Sequence, residues 1–281
     1  MIPAALKHPL ASASAVLAHP LETWVRFYET YIFNIEQRGP RCEYQIDERW
    51  EERLHHVLGA PWPCPATKEF WTLWQEVVKV LQAKGISVGP SGFKSWNDGD
   101  PGLVRAIWCL VRHLRPHKVI ETGVGHGVTS RFVLEALEMN GAGHLWSIDL
   151  PPVDPFWQKQ IGLAVGDRDF GRWSYIRGPS RLKLPKLLSF TGEIELFIHD
   201  SMHSERNVRF ELDRVWRMLK PGGALVVDDV DVNGGFRSFL QATSGHCAMV
   251  CESEPLHPDT RRFNKKGLFG IIIKTSAELP T

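Results

Sequence analysis

At 281 residues with 43% hydrophobic side chains, the chain is long enough for one large α/β domain plus an accessory segment, with ample material for a core. Its 33 Lys and Arg nearly balance 32 Asp and Glu, a formal net charge of +1, which removes the electrostatic case for nucleic acid or an anionic membrane as partner and favours a small molecule. No run reaches the roughly 18 to 20 apolar residues of a membrane span.

The five cysteines, Cys42, Cys64, Cys109, Cys247 and Cys251, are odd in number and contain no C-x-x-C pair, so their spacing reads as neither a disulfide framework nor a zinc site. That usage points to a reducing, cytoplasmic setting. The Ala-rich opening, residues 1–20, holds a short, weakly apolar run between Pro9 and Pro20 and reads as a surface arm rather than a signal peptide.

Leu21 to Phe33 reads as an aromatic-rich helix, and Pro65 to Lys84 as another, with Phe70, Trp71, Trp74, Val77, Val78 and Leu81 at helical spacing. Those aromatics read as packing residues rather than a ligand cage. The charged stretch between, EQRGPRCEYQIDERWEE, reads as exposed. Residues 1–99 thus form an N-terminal helical extension or cap. A third helix starts where Asp100 is an N-cap and Pro101 suits the first turn; Leu103, Ile107, Leu110, Val111 and Leu114 form its apolar stripe, and Pro116 ends it.

From Lys118 onward strands and helices alternate. KVIET (118–122) suits a buried parallel strand, and Val128 to Asn140 a helix that stops before Gly141. HLWSID (144–149), WSYIRG (173–178) and IELFIHD (194–200) follow as strands, and then a helix runs from about Glu205 to Leu219. Pro221, Gly222 and Gly223 turn into ALVVDD (224–229), and CAMVCES (247–253) and GLFGIIIK (267–274) are the last two strands. The pattern predicts a doubly wound, Rossmann-like, mostly parallel seven-stranded sheet over 100–281, with ligands beyond the carboxyl ends of its strands.

Those ends carry the chemistry. Glu121 and the glycines of ETGVGHG follow the first strand, Asp149 ends the second, Asp200 and His203 follow the fourth, and Asp228 and Asp229 follow the fifth. Any one alone is explained by turns and helix caps; their coincidence at successive tips is not. A glycine turn before a helix lets the backbone approach a ligand closely and presents free N–H groups. The spacing here is G-x-G-x-G, not the G-x-G-x-x-G of dinucleotide sites, and an acid at 121 disfavours pyrophosphate while suiting an ammonium or sulfonium. Asp149 is placed to accept hydrogen bonds from a ribose diol.

With these residues in place, Val119 to Val230 resembles a class I S-adenosylmethionine-dependent methyltransferase, through ETGVGHG, SID and MLKPGGALVVDDV. It is similar above all to the group whose fourth strand ends in D-x-x-H-S and whose fifth ends in D-D, which includes macrolide-sugar O-methyltransferases and cephalosporin-modifying relatives. The resemblance implies that Glu121, Gly123, Gly125, Gly127, Asp149 and Ser180, the last in the adenine-contacting turn Gly178-Pro179-Ser180, bind S-adenosylmethionine. It implies that Asp200, Asp228 and Asp229 hold a divalent metal, Mg²⁺ by the hardness of the donors, and that His203 with Asp200 forms the catalytic pair. HDSMHS departs from the commoner D-G-D-H-S of that group, which bears on the metal.

Elementary chemistry runs the same way. Three carboxylates at adjacent tips repel one another unless they are protonated, solvated or bound to a cation such as Mg²⁺, and His203 is able to take a proton near neutral pH. Capping or packing at the helix beginning near Ser204 is the competing role for His203, and His199 reads as structural. The expectation is O-methylation of a small hydroxylated acceptor, a sugar or secondary metabolite, with the N-terminal helices covering the acceptor or making a homo-oligomer contact. The rivals are a NAD-dependent oxidoreductase on the same fold and a non-catalytic cofactor-binding subunit.

Overall fold

The computed structural model describes residues 16–36, 38–86, 100–168, 170–243, 245–252 and 267–275. Residues 1–15 of the expected arm, residues 87–99 and the last residue of CAMVCES lie outside the described residues. Among those described, no helix is long and apolar enough to cross a membrane.

Seven strands form one sheet in the order β3-β2-β1-β4-β5-β7-β6. They are β1 Lys118–Thr122, β2 His144–Asp149, β3 Trp173–Arg177, β4 Ile194–His199, β5 Leu219–Val227, β6 Cys247–Glu252 and β7 Leu268–Ile273. β1 is parallel to β2 and β4, β2 to β3, and β4 to β5, whereas β7 runs antiparallel to both β5 and β6. Four of the five residues of β1, and five of the six of β4, are buried, the mark of strands covered on both faces. The strand order reverses between β1 and β4, so a crevice opens beyond their carboxyl ends.

Helices α1 Pro20–Glu36, α2 Trp50–Val57, α3 Thr67–Ala83, α4 Pro101–Leu114, α5 Val128–Asn140, α6 Pro155–Gln158, α7 Ser180–Thr191, α8 Glu205–Met218 and α9 Gly235–Ala242 surround the sheet. One face of the sheet is packed with side chains of α2, α3, α4 and α5, among them Phe70, Trp74, Trp108 and Phe132. The other takes those of α7, α8 and α9, including Leu188, Leu212 and Phe239. The Asp100 carboxylate caps α4 by accepting from the Gly102 N–H at 2.9 Å, and Arg115, with φ 50°, closes it in the left-handed region.

Four sequence expectations need correction. The charged stretch after α1 is not simply exposed: the Cys42 and Asp47 N–H groups bond the Asp231 and Val250 carbonyls at 2.7 and 2.8 Å. Its Tyr44 and Ile46 pack on the core, and Trp50, 7% exposed, already belongs to α2. Pro221 to Gly223 do not form a turn before β5 but an irregularity inside it, because Leu219 pairs with Ile194 before the register shifts. Three more helices besides α2 are not expected from the sequence: the short α6, and α7 and α9, which complete the layer between β3 and β6. α1 does not join the core: only Val25 and Glu29 are buried on it, and its outer face exposes Trp24, Phe27, Tyr31 and Ile35.

Candidate functional site

A cleft of about 570 Å³ lies over the carboxyl ends of β1, β2, β4 and β5. Its floor is the glycine turn, one end is Asp149 with Gly178 to Arg181, the other is Asp200, His203, Asp228 and Asp229, and α1 roofs it with Val25, Arg26, Glu29, Thr30 and Phe33.

The three glycines have separate causes. All adopt left-handed backbone, with φ of 86° at Gly123, 50° at Gly125 and 82° at Gly127. A Cβ on Gly123 would stand 1.7 Å from the Asp200 carbonyl oxygen, and one on Gly127 would stand 2.8 Å from Gly162 Cα. These two are glycine because the protein's own backbone fills the space. Gly125 has nothing within 4 Å and borders the cleft, so it alone leaves room for a ligand.

Glu121 does not line the cleft. It is wholly buried beneath the turn, where its Oε2 accepts from the Ser130 and Ser147 hydroxyls at 2.6 and 2.7 Å. Burial pushes its carboxyl up to about 7. It acts on the turn from below.

Asp149 does border the cleft. Burial pushes its carboxyl up to about 6, against the pull of the Leu150, Gly125 and Val124 amides and the Arg26 guanidinium. Its Oδ2 is shut off from solvent with no hydrogen-bond partner, an acceptor left for a ligand. Arg26 is fixed beside it by donating to the Pro151 carbonyl. Ser180 opens α7 at the adenine end expected from sequence, and its hydroxyl also serves Glu211.

At the other end, Asp200, His203 and Asp228 offer one donor atom each within 4.8 Å of one another. His203 Nε2 stands 3.7 Å from Asp200 Oδ1 and 3.9 Å from Asp229 Oδ2. The cluster closest in space is therefore Asp200, His203 and Asp228, while Asp229 faces the imidazole. Asp229 has φ 51°, a left-handed conformation that an Asp tolerates at a cost. Asp228 is held well above the ordinary carboxyl range by burial first and then by the charges of Asp229, Asp200 and Asp100. Burial lowers His203 despite Asp229, keeping its imidazole neutral near pH 7.

Beneath this end lies a network that the sequence did not reveal. Glu211 of α8, fully buried, accepts from the Thr122 and Ser201 hydroxyls at 2.6 and 2.9 Å and from the Asn207 amide at 3.0 Å. Its Oε2 is 2.8 Å from His199 Nδ1. His199 is structural, as its place on the strand predicts, and its carbonyl accepts the Asp228 N–H at 2.9 Å. Burial opposes the charge on Glu211, but His199, Ser180 and Thr122 hold its carboxyl down to about 2. Position 211 lies on the buried face of an amphipathic helix, and a carboxylate there is the signal that would have found it.

Also missed were Arg26 and Glu29 of α1. Glu29, 5% exposed, is paired with Arg181 Nε at 2.7 Å and accepts the Ser204 hydroxyl at 3.0 Å, which ties the roof to the starts of α7 and α8.

Comparison with known proteins agrees with this geometry. Residues 120–230 match a family described as a methyltransferase domain. The chain's fold is similar to that of the O-methyltransferase TomG from Streptomyces achromogenes, involved in tomaymycin synthesis and solved with S-adenosylmethionine, at a TM-score of 0.52 and 15% identity over 73% of this chain and 90% of that one. It is similar also to the cofactor-bound protein Rv0187 from MTB, at a TM-score of 0.51 and 14% identity over 83% and 100%. No curated protein matches the sequence.

Proposed function

We propose that this chain, an enzyme carrying a methyltransferase domain over residues 120–230, moves a methyl group from S-adenosylmethionine to the oxygen of a small hydroxylated acceptor, a sugar or secondary metabolite. One observation carries the reading: a single cleft holds an unpartnered carboxylate oxygen of Asp149 beside the open Gly125 turn at one end and the Asp200, His203 and Asp228 cluster at the other.

The residues fit the cofactor. Asp149 Oδ2 is an acceptor for ribose hydroxyls, the space at Gly125 admits the ligand to the backbone, and Gly178 to Ser180 border the adenine end. They fit a hard cation as well, since Asp200 and Asp228 are oxygen donors and the Asp228 carboxyl, raised first by burial and then by the charges of Asp229 and Asp200, sits where a cation would offset both costs. When bound, S-adenosylmethionine supplies an activated methyl group and a divalent ion such as Mg²⁺ acidifies a coordinated hydroxyl. His203, neutral and open at Nε2 toward the cleft, accepts the acceptor's proton, and the carboxylates of Asp229 and Asp200 stabilise the imidazolium that forms. α1 closes the cleft from above and excludes water.

Calorimetric titration with S-adenosylhomocysteine, with and without Mg²⁺ and with NAD as control, tests this. We expect binding of the homocysteine compound, no heat from NAD, and a separate Mg²⁺ isotherm lost in Asp228→Ala, whose homocysteine binding persists while turnover fails. Binding of NAD alone overturns the reading.

A further inference from the structure

Away from the cleft, where α2, the loop after it and α4 meet, three metal-binding side chains converge, with His113 beside one of them. Cys64 Sγ is 3.8 Å from Cys109 Sγ and 3.4 Å from His113 Nε2. His55, Cys64 and Cys109 each present a donor atom within 4.8 Å of the others, and all three are buried. His113 follows Cys109 by four residues on α4, so both project from one face of that helix.

His55 makes this more than a cluster of cysteines. The side chain is 0% exposed. Its Nδ1 lies 2.6 Å from the Glu51 carbonyl oxygen, which accepts only, so Nδ1 carries the proton and donates. That leaves Nε2 as a bare lone pair, and Nε2 is buried with no hydrogen-bond partner. A histidine whose one nitrogen is anchored to a backbone carbonyl while the other faces soft donors has the arrangement of a metal ligand with its outer-shell support.

The spacing fits a tetrahedral ion with mixed sulfur and nitrogen ligands. Zn²⁺ with Zn–S of about 2.3 Å and Zn–N of about 2.0 Å in a tetrahedron sets S–S edges near ~3.8 Å and S–N edges near ~3.5 Å. The 3.8 and 3.4 Å separations match both edges. Charge agrees too, since two thiolates and two neutral imidazoles around Zn²⁺ leave no net charge in an apolar interior.

We propose that His55, Cys64, Cys109 and His113 bind a structural Zn²⁺ that fastens the N-terminal helices to α4. All four positions are taken by protein, so the site is closed and holds no reacting water. α4 begins beside Asp100 and sends Leu103 and Val104 into the cleft wall, so the ion braces one side of the site from a distance. Positions 55, 64, 109 and 113 match no familiar spacing, and folding alone assembles them.

The test uses the full, untagged chain purified without chelator. Elemental analysis is expected to give one zinc per chain, and replacement by Co²⁺ to give a thiolate-to-cobalt charge-transfer band with the d–d bands of a tetrahedral site. Cys109→Ser should lose the zinc and the charge-transfer intensity, whereas Asp228→Ala should keep both, which separates this site from the one in the cleft. Should Cys109→Ser fail to fold, the stoichiometry and cobalt spectrum of the unmodified chain still decide. Absence of zinc with no cobalt charge-transfer band, a Cys64–Cys109 disulfide found by peptide mapping, or zinc retained at full stoichiometry in Cys109→Ser would each overturn the proposal.

Discussion

Gly123 and Asp200 touch: a Cβ at 123 would stand 1.7 Å from the carbonyl oxygen of 200, so the glycine turn and the tip of β4 are packed backbone to backbone. The glycine turn is thus a joint between strands at Gly123 and Gly127, and only Gly125 is free to serve the proposed cofactor site. Gly127→Ala, which drives a Cβ to 2.8 Å from Gly162 Cα at φ 82°, is expected to cost about 1 to 3 kcal/mol and to lower the melting temperature by several degrees. Gly125→Ala meets no protein atom and carries only the backbone cost of an alanine at φ 50°, about 1 kcal/mol, so it should melt closer to wild type than Gly127→Ala, yet bind S-adenosylhomocysteine at least about tenfold more weakly because its methyl enters the cleft. Thermal melts beside calorimetry separate the two, and full-affinity binding by Gly125→Ala would remove the turn from the cofactor site.

The raised carboxyl of Asp149 gives cofactor binding a pH dependence. A ribose diol donates to the ionised form, and burial places the midpoint of that carboxyl at about 6. Affinity for S-adenosylhomocysteine should therefore be constant above neutrality and fall as pH drops below about 6, by at most about tenfold per pH unit for one proton. Asp149→Asn should bind about 10- to 100-fold more weakly at pH 7, the worth of a hydrogen bond to a charged acceptor, and show a flat profile. A sloping profile in the variant would assign the titration to another group.

How much of this was legible follows from what each segment buries. β1 and β4 are short apolar runs because both faces are covered, and the acids at their ends stand out against that background. α7 was hidden by Pro185 in its middle and by a weak apolar stripe, and α9 by having only eight residues. α1 misleads in an instructive way. Its large aromatics Trp24, Phe27 and Tyr31 point outward, while the face that roofs the cleft mixes Val25 and Phe33 with Arg26 and Glu29, so apolar periodicity alone does not pick out that face. Contacts such as Glu29 with Arg181 or Cys64 with Cys109 span many residues and have no local signature.

His199 and Glu211 form a fully buried pair at 2.8 Å beneath the Asp200 and His203 end of the cleft. Glu211→Gln leaves the imidazole facing an uncharged amide and should cost about 3 kcal/mol or more at pH 7 in urea unfolding. The Glu211 carboxyl sits at about 2 in the folded chain against 4.5 for its ordinary value, so its contribution is complete above about 4.5 and is lost as pH falls from there toward 2. The stability gap between wild type and Glu211→Gln should accordingly narrow between pH 4.5 and 3. A gap independent of pH would mean that packing, not charge, makes the difference.

The roof helix should be separable from the core. Glu29 is buried and holds both Arg181 and Ser204, whereas the half-buried Glu22 at the rim makes longer pairs, with Arg177 at 3.3 Å and Lys183 at 3.7 Å, whose side chains are 44% and 34% exposed. Exposed pairs are worth about 0 to 1 kcal/mol and buried ones several times that when broken. Glu29→Ala should therefore release α1, raising its rate of proteolytic cleavage and weakening S-adenosylhomocysteine by about tenfold or more, while Glu22→Ala changes either only slightly. The main melting transition should move little in both, because α1 gives the core only Val25. Saturating S-adenosylhomocysteine should slow cleavage of α1 in the wild type, since a ligand that binds only the closed form shifts that equilibrium. Unchanged cleavage and affinity in Glu29→Ala would show that α1 rests on the cleft without covering it.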